Sequence, residues 1–182
     1  MKLLLHSCCA PCSASIIEWL LANDIRPIIY FFNPNIYPLE EYNIRKAECV
    51  RYANALDLEL IDGDYDHESW LKETIGLDHE PERGSRCLQC FKMRMLATAK
   101  MAHEKKCSHF TTTLASSRWK SLEQISEASQ LAASQYQGVD YWEKNWRKGG
   151  LSERRKVLLI ENDFYNQQYC GCEFSMRRLQ KP

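Results

Sequence analysis

The chain has 182 residues, and its 24 basic side chains balance its 24 acidic side chains when histidine is neutral. A chain of this length can bury a full hydrophobic core, so its stability does not require disulfides. No stretch approaches the roughly 20 apolar residues that span a bilayer, and the apolar start, Met1–His6, is too short for a signal peptide. We therefore expect a cytoplasmic protein with no membrane partner, in a compartment that keeps thiols reduced.

The charged residues are distributed unevenly along the chain. Residues 1–91 carry 8 Lys or Arg and 15 Asp or Glu, whereas residues 92–182 carry 16 and 9. A basic half in a neutral protein indicates a surface for nucleic acid or phosphate, and solvated helix faces are the alternative interpretation.

Apolar runs alternate with segments of helical periodicity. The runs predict buried strands, and the periodic segments predict helices with one apolar face. In chain order the predicted elements are a strand over Leu3–His6, a helix ending near Asn23, a strand over Pro27–Phe32, a helix over Leu39–Leu56, a strand over Leu58–Ile61, helices over Asp66–Thr74 and Cys87–Lys106, a strand over His109–Leu114 and a helix over Ser121–Tyr136. No repeat or linker divides the chain, so we expect one domain over residues 1–182, with a cysteine-bearing C-terminal segment over about 150–182.

Strands and helices in this rhythm predict a single-domain α/β fold, with a mostly parallel sheet flanked by helices. In such sheets the functional site lies outside the carboxyl ends of the strands, where the strand order reverses. The first strand would deliver Cys8 and Cys9 to that edge, and the second and fourth would deliver Asn35 and Ser117. From this position alone, we predict that Asn35 and Ser117 orient a substrate.

Nine cysteines in a reducing compartment indicate a metal or redox site, and an odd number excludes complete internal pairing. Cys49 and Cys107 lie in or at the end of helical patterns, so we interpret them as ordinary small residues. Adjacent cysteines such as Cys8 and Cys9 rarely bridge each other, which favours metal ligation. The other seven form three clusters: Cys8, Cys9 and Cys12; Cys87 and Cys90; Cys170 and Cys172.

Two familiar kinds of thiol site fit part of this pattern. Cys9 and Cys12 form a C-x-x-C motif between a strand and a helix, as in thioredoxin-like redox proteins. Two C-x-x-C pairs can also hold a structural zinc ion. Both interpretations leave several thiols without a role.

An iron–sulfur cluster accounts for more of the thiols. The four ligands would be the adjacent pair and the later C-x-x-C pair: Cys8, Cys9, Cys87 and Cys90. Cys12, Cys170 and Cys172 would then lie beside the cluster as redox partners or as ligands of another ion. Cys170 and Cys172 form either a strained, easily reduced disulfide or a pair of metal ligands.

Aromatic and basic side chains alternate in one segment of the second half. They precede Gly149 and Gly150, and they predict a loop that stacks on bases and contacts phosphates. Arg154–Lys156 and Arg177–Arg178 would extend this basic surface, and an ordinary surface patch is the alternative. The residues of the loop are Tyr141, Trp142, Lys144, Trp146, Arg147 and Lys148.

Taken together, these motifs resemble the QueH-type epoxyqueuosine reductases, which complete the queuosine modification of tRNA. The similarity runs in order from end to end of the chain and is specific because of its length. The matching stretches are His6–Cys12, Phe31–Ile36, Glu41–Tyr42 with Arg45, Gly63–Asp66 with Trp70, Glu80–Cys90, Thr111–Leu114 and Tyr169–Ser175.

The resemblance implies a nucleotide-binding α/β fold of the HUP or Rossmann kind, shared with tRNA-modifying ATP pyrophosphatases. It implies a 4Fe-4S cluster on Cys8, Cys9, Cys87 and Cys90, redox-active Cys170 and Cys172, and an additional mononuclear iron beside the cluster, with Cys12 as a candidate ligand or catalytic thiol. Ser7–Cys12 replaces the glycine-rich phosphate loop of the ATP-using relatives, so ATP binding is not expected.

The expected reaction is the two-electron removal of an epoxide oxygen from epoxyqueuosine at the tRNA wobble position. The products are queuosine and water, and an unidentified electron donor supplies the reducing equivalents. We assign substrate-binding roles to Asn35, Ser117, Tyr141, Trp142 and Trp146. The alternatives are a thiolate-zinc module that binds nucleic acid and an ATP-dependent tRNA thiolation enzyme of the same fold.

Overall fold

A sheet of five short strands forms the centre of the described part of the chain. The structure is a computed structural model, and it describes residues 1–176. Neighbouring strands in the order β3-β2-β1-β4-β5 are all parallel. This order is Rossmann-like, so the predicted α/β fold is confirmed, with an entirely parallel sheet. The strands are β1 (Leu3–His6), β2 (Ile28–Phe31), β3 (Leu60–Asp62), β4 (His109–Thr112) and β5 (Asp140–Tyr141).

Helices cover both faces of this sheet. A 3-10 turn over Thr113–Ser116 follows β4 directly. None of the described helices is long and apolar enough to cross a membrane. The helices are α1 (Ala10–Ala22), α2 (Leu39–Ala55), α3 (His67–Glu73), α4 (Ser85–Glu104), α5 (Leu122–Ala133), α6 (Leu151–Glu161) and α7 (Glu173–Met176).

The core has two apolar layers, one on each face of the sheet. Leu3 and Leu5 of β1 pack into the layer that contains α1, α2 and α6. Leu4 of the same strand packs into the layer that contains α4 and α5. Because successive side chains of a strand point to opposite faces, a strand buried on both sides is a continuous apolar run. This is why β1 could be recognised directly in the sequence.

Local signals in the sequence determine where several helices begin. The Asp66 carboxylate accepts a hydrogen bond from the Ser69 backbone N–H at 2.9 Å and so caps α3. The Ser121 hydroxyl caps α5 in the same way. Pro11 lies in the first turn of α1, where its missing N–H has no intrahelical partner to lose. The chain therefore turns sharply from β1 into α1 and leaves Cys8 and Cys9 at the turn.

The strand order reverses at β1. The chain moves from β1 outward to β2 and β3, and after α4 it returns to the other side of β1 to form β4 and β5. The loops that follow β1 and β4 therefore meet at the carboxyl edge of the sheet, which is where ligands bind in folds of this kind. The backbone N–H of Cys8 donates to Thr113 Oγ1 at 3.1 Å and joins the two loops.

The predicted elements up to α5 are all present, with ends that differ by at most a few residues. The fourth strand ends at Thr112 rather than Leu114, because the chain turns into the 3-10 turn there. The elements β5, α6 and α7 were not predicted. The two-residue strand β5 has no periodicity to detect, and its second residue, Tyr141, is the first residue of the predicted nucleic-acid loop.

Candidate metal centre

Three thiols lie together where β1 ends and α1 begins. The Sγ atoms of Cys8, Cys9 and Cys12 are all within 4.8 Å of one another, and those of Cys8 and Cys9 are 3.8 Å apart. A tetrahedral ion with metal–sulfur bonds of about 2.3 Å holds its sulfurs about 3.8 Å apart. The three side chains are also buried. Their geometry and burial are therefore suited to holding metal.

The protonation of these thiols depends on their neighbours. Hydrogen bonds from the Cys12 and Cys9 thiols hold the pKa of Cys8 well below its ordinary value. Burial raises the pKa of Cys9 well above its ordinary value. The hydrogen bond to Cys8 raises the pKa of Cys12 to about 11. The pocket thus tolerates one thiolate by itself, and deprotonation of all three thiols requires a bound cation.

Cationic side chains surround the thiols. Arg94 and Lys120 add to the lowering of the Cys8 pKa, and Arg155 lowers that of Cys12. Burial lowers the pKa of Lys120, but the nearby Cys170, Cys8 and Cys12 outweigh burial and raise it overall. Arg94 is held in place by a 2.5 Å hydrogen bond to Asn33 Oδ1. This positive environment favours an anionic group, such as a cluster held by several thiolates.

Several groups donate hydrogen bonds to the sulfur atoms. Gln167 Nε2 lies 3.0 Å from Cys9 Sγ and 3.5 Å from Cys12 Sγ. Thr113 Oγ1 donates to Cys8 Sγ at 3.3 Å. Such donors tune the reduction potential of metal sites that have thiolate ligands. Neither Gln167 nor Thr113 was recognised as a site residue from the sequence, because only the fold brings them to the sulfurs.

The later C-x-x-C pair lies in the first turns of α4. Cys87 and Cys90 are three residues apart on a helix and therefore share a face. Burial raises the pKa of Cys87 to about 12, and the neighbouring Cys90, Cys170 and Cys172 thiols contribute to the increase. A small cavity touches Cys87, Cys170 and Lys120. The structure thus brings Cys87 and Cys90 close to the C-terminal thiols, and Lys120 lies near both Cys170 and Cys8.

The C-terminal thiols are held by Arg45 of α2. Its guanidinium donates to the carbonyls of Cys170 and Tyr169, both at 3.1 Å, and it forms a 2.7 Å ion pair with Glu41. The side chains of Arg45 and Glu41 are only 3% and 8% exposed. Cys170 and Cys172 are free thiols. Their position therefore depends on a buried ion pair from another part of the chain.

Gly171, between these two thiols, lies where a larger residue would be strained. Its φ is +134°, and a Cβ atom there would lie 3.2 Å from Arg45 and Ile36 and 3.3 Å from Asn35. Only glycine adopts this backbone conformation readily and permits such a close approach. The glycine of the C-x-C motif thus allows this segment to pack closely against Arg45, Ile36 and Asn35.

Comparisons with known proteins agree with this geometry. The family model described as epoxyqueuosine reductase QueH matches residues 3–178. The chain belongs to the QueH family. A relative from Histophilus somni is 48% identical over 99% of this chain and 74% of its own length. Relatives from Haemophilus influenzae and Acinetobacter baylyi are 48% and 46% identical over 97% of this chain, and 72% and 81% of their own lengths. All three are named epoxyqueuosine reductase QueH, which confirms the resemblance inferred from the motifs.

Two predicted substrate residues of this QueH chain lie at the same edge of the sheet. Asn35 is 2% exposed, and its Oδ1 atom has no hydrogen-bond partner within the described residues. Ser117 lies just after the 3-10 turn, where its hydroxyl accepts a hydrogen bond from the Trp119 backbone N–H at 3.3 Å. Their proposed contacts with substrate stay predictions.

The predicted stacking role of Trp146 is wrong. Its side chain is 1% exposed, and its indole N–H donates to Thr111 Oγ1 at 3.1 Å within the core. The ammonium of Lys144 lies 3.4 Å from the centre of the Trp19 ring and 5.5 Å from that of Trp142. These aromatic rings therefore pack around a half-buried cation, a pattern that the sequence cannot distinguish from a nucleic-acid surface.

The other residues of the predicted basic and aromatic surface lie in different parts of the chain. Tyr141 belongs to β5, and its ring centre lies 5.4 Å from that of Phe110. Tyr141 and Trp142 are half-buried, so their substrate roles stay predictions. Arg154 forms ion pairs with Glu18 and Glu161. Arg177 and Arg178 lie outside the described residues.

Proposed function

We propose that this chain is an iron–sulfur enzyme that reduces epoxyqueuosine to queuosine. As a member of the QueH family it is an epoxyqueuosine reductase, an oxidoreductase that acts on tRNA carrying epoxyqueuosine. The observation that supports the iron–sulfur proposal most strongly is the group of three buried thiols, Cys8, Cys9 and Cys12, at the switch point of a Rossmann-like sheet. A second group of thiols, in which Cys87 lies near Cys90, Cys170 and Cys172, adds to this support. The compartment we propose is the cytoplasm, where tRNA is found and thiols stay reduced.

The thiols divide into a cluster-binding set and an additional set. Cys8, Cys9, Cys87 and Cys90 would hold a 4Fe-4S cluster, and Cys12 would contribute to the site of an adjacent mononuclear iron ion. Soft thiolate ligands and a cationic surrounding suit iron–sulfur chemistry. When bound, the cluster transfers electrons one at a time, and the iron ion acts as a Lewis acid toward an oxygen ligand.

Two thiols of the chain can supply the electrons and protons that the reaction consumes. Removal of an epoxide oxygen as water breaks two C–O bonds, forms a C=C bond and consumes two electrons and two protons. Oxidation of the Cys170 and Cys172 thiols to a disulfide releases two electrons and two protons. A disulfide with C-x-C spacing is strained and therefore easily reduced by an external donor. These two thiols can thus store the reducing equivalents for one turnover.

Buried polar groups can orient the substrate. The unpaired Oδ1 of Asn35 would accept a hydrogen bond from a hydroxyl of the substrate's five-membered ring, since an unsatisfied buried acceptor is costly. Lys120, near Cys170 and Cys8, provides a fixed positive charge beside the thiols. Ser7–Cys12, which occupies the position of a phosphate-binding loop, contains no glycine and is buried. Its buried side chains leave no backbone cradle for ATP, so ATP-dependent thiolation is not favoured.

Anaerobic purification followed by analysis of iron, acid-labile sulfide and zinc tests this proposal. We expect iron and sulfide in near-equal amounts, and conversion of epoxyqueuosine to queuosine in tRNA when a chemical reductant is supplied, as measured by mass spectrometry of the released nucleosides. Stoichiometric zinc without sulfide would contradict the cofactor assignment and would favour a zinc module that binds nucleic acid.

A further inference from the structure

An exposed tryptophan stands beside the thiols, and neither the motifs nor the proposed chemistry explains it. Trp119 is 62% exposed, which is unusual because tryptophan side chains are highly buried on average. It lines the same small cavity as Cys87 and Cys170. We infer that Trp119 is a stacking platform for an unstacked nucleotide of the tRNA substrate, next to the modified base. This inference rests on the proposed function.

The loop that carries Trp119 is fixed in position by two arginines. Arg83 donates from Nε to the Trp119 carbonyl at 3.0 Å and from its terminal nitrogen to the Arg118 carbonyl at 2.7 Å. Arg147 donates to the Lys120 carbonyl at 2.7 Å and also to the Ser117 carbonyl. Two residues from separate parts of the chain thus hold this short loop by its backbone. A platform held in this way loses little conformational entropy when a base stacks on it.

The charges around the ring identify a nucleic acid as the occupant. The guanidinium of Arg118 lies 5.5 Å from the centre of the Trp119 ring. Most of the charged side chains around the ring are cations, and this suits phosphate groups on either side of a stacked base. The apolar core of a protein–protein interface, in contrast, is depleted in charged residues. The charged residues of the loop and rim are Glu82, Arg83, Arg118, Lys120 and Arg147.

The position of the ring suits the reaction. A wobble base that is to reach the thiols has to leave the stack of the anticodon loop, and unstacking a base costs free energy. An aromatic ring beside the thiols replaces the lost stacking for the neighbouring nucleotide. Stacking on an aromatic side chain tolerates any base, because every base has a π face. We therefore assign Trp119 to positioning and binding, and not to the chemical step.

Binding of tRNA that carries epoxyqueuosine tests the inference. We expect Trp119→Ala to raise the Kd about 5- to 150-fold, the range for one lost base–aromatic stack, and Trp119→Phe to stay within about threefold of the parent, since phenylalanine also stacks. The control variant is Leu131→Ala, which truncates an exposed apolar side chain on α5. It should leave the Kd unchanged. Iron content and melting temperature should match the parent in all variants.

The salt dependence separates stacking from charge. Trp119→Ala should leave the slope of log Kd against log salt concentration unchanged, because an aromatic contact releases no counterions. Arg118→Ala should reduce that slope by about 1 if Arg118 contacts a phosphate beside the stacked base. A parent-like Kd for Trp119→Ala, a Kd for Trp119→Phe as weak as that of Trp119→Ala, or a changed slope for Trp119→Ala overturns the inference.

The unsubstituted protein distinguishes the two proposals. If it binds the tRNA and forms queuosine while Trp119→Ala does both equally well, only the stacking inference fails. If the unsubstituted protein neither binds this tRNA nor forms queuosine, the proposed function fails, and the stacking inference fails with it.

Discussion

The thiols at the end of β1 and the thiols near the end of the described chain are held by different means. The backbone of Cys9 and Cys12 belongs to the start of α1, where the Cys9 carbonyl accepts from the Ser13 N–H at 3.2 Å. Cys170 lies outside helices and strands, where its carbonyl depends on the Arg45 side chain. A helix built into the core opens rarely, whereas a segment held by side chains opens at a lower free energy. From this contrast we expect the first set to suit the proposed metal site, and the second to suit the proposed redox pair, because its segment opens at a lower free energy.

The largest expected effect comes from removal of a proposed cluster ligand. Cys87→Ala should lose iron, sulfide and visible absorption, and its activity should fall at least about a hundredfold, since changes even one shell away from a metal cost up to that amount. The matched control is Cys107→Ala, at a buried thiol just before β4. It should keep the cofactor and the activity. A coloured and active Cys87→Ala variant would show that Cys87 is not a ligand.

A smaller effect is expected from a change that loosens the C-terminal segment only. Arg45→Lys keeps the charge opposite Glu41 but loses the two-pronged contact with the Tyr169 and Cys170 carbonyls. Activity should fall about tenfold to a hundredfold, as is typical when reacting groups are misplaced by about 1 Å. Iron content should be unchanged, and Cys170 and Cys172 should react faster with a thiol-alkylating reagent.

Arg51→Lys provides the control for this change. Arg51 lies on the same helix and forms an ion pair with Glu48, but its side chain is 50% exposed. Its substitution should alter neither activity nor alkylation rates, because an exposed ion pair contributes little. If Arg45→Lys lost iron together with activity, the two sets of thiols would form one structural unit. The proposed difference between them would then be wrong.

The two sets also differ in how far the sequence could predict them. A parallel sheet was predicted, but the order of its strands was not. The apolar run of β1 was nevertheless sufficient to place Cys8 and Cys9 at its carboxyl end. The contacts of Gln167 and Arg45 with the thiol segments join residues more than 120 positions apart. Such contacts depend on the packed fold and leave no periodic signal. Trp146 was assigned wrongly because aromatic residues among cations are the same pattern in a core and at a surface.

A change of intermediate size concerns a contact between the two regions. Gln167, from the C-terminal segment, donates to Cys9 Sγ at 3.0 Å. A hydrogen bond to sulfur stabilises the more negative, reduced state of a metal–thiolate site, so its loss lowers the reduction potential. Gln167→Leu should lower the potential by about 60 mV, the equivalent of a bond of about 1.4 kcal/mol for one electron. A redox titration followed by electron paramagnetic resonance measures this shift.

Gln168→Leu is the matched control, because the Gln168 amide donates to the Asn166 carbonyl and the residue is exposed. Its potential should equal that of the parent. An unchanged potential in Gln167→Leu would mean that the C-terminal segment does not reach the sulfurs once metal is bound, and the two regions would be independent.

The smallest expected effect comes from a change at Lys144. It tests whether Lys144 and the rings around it are structural, whereas the exposed ring of Trp119 contacts the tRNA. Lys144 lies among three tryptophan rings, at 3.4 Å from the Trp19 centroid and at 5.1 Å from that of Trp146. A cation–π contact at a partly exposed site contributes about 0.5–1 kcal/mol. Lys144→Ala should therefore lower the free energy of unfolding by about this amount in a denaturant titration, while the Kd for tRNA changes by less than about twofold. A steep loss of tRNA binding without a loss of stability would restore the original interpretation, in which the segment from Tyr141 onward contacts nucleic acid. The expected result instead makes Lys144 a structural cation and leaves the loop of Trp119 as the aromatic surface that meets the substrate.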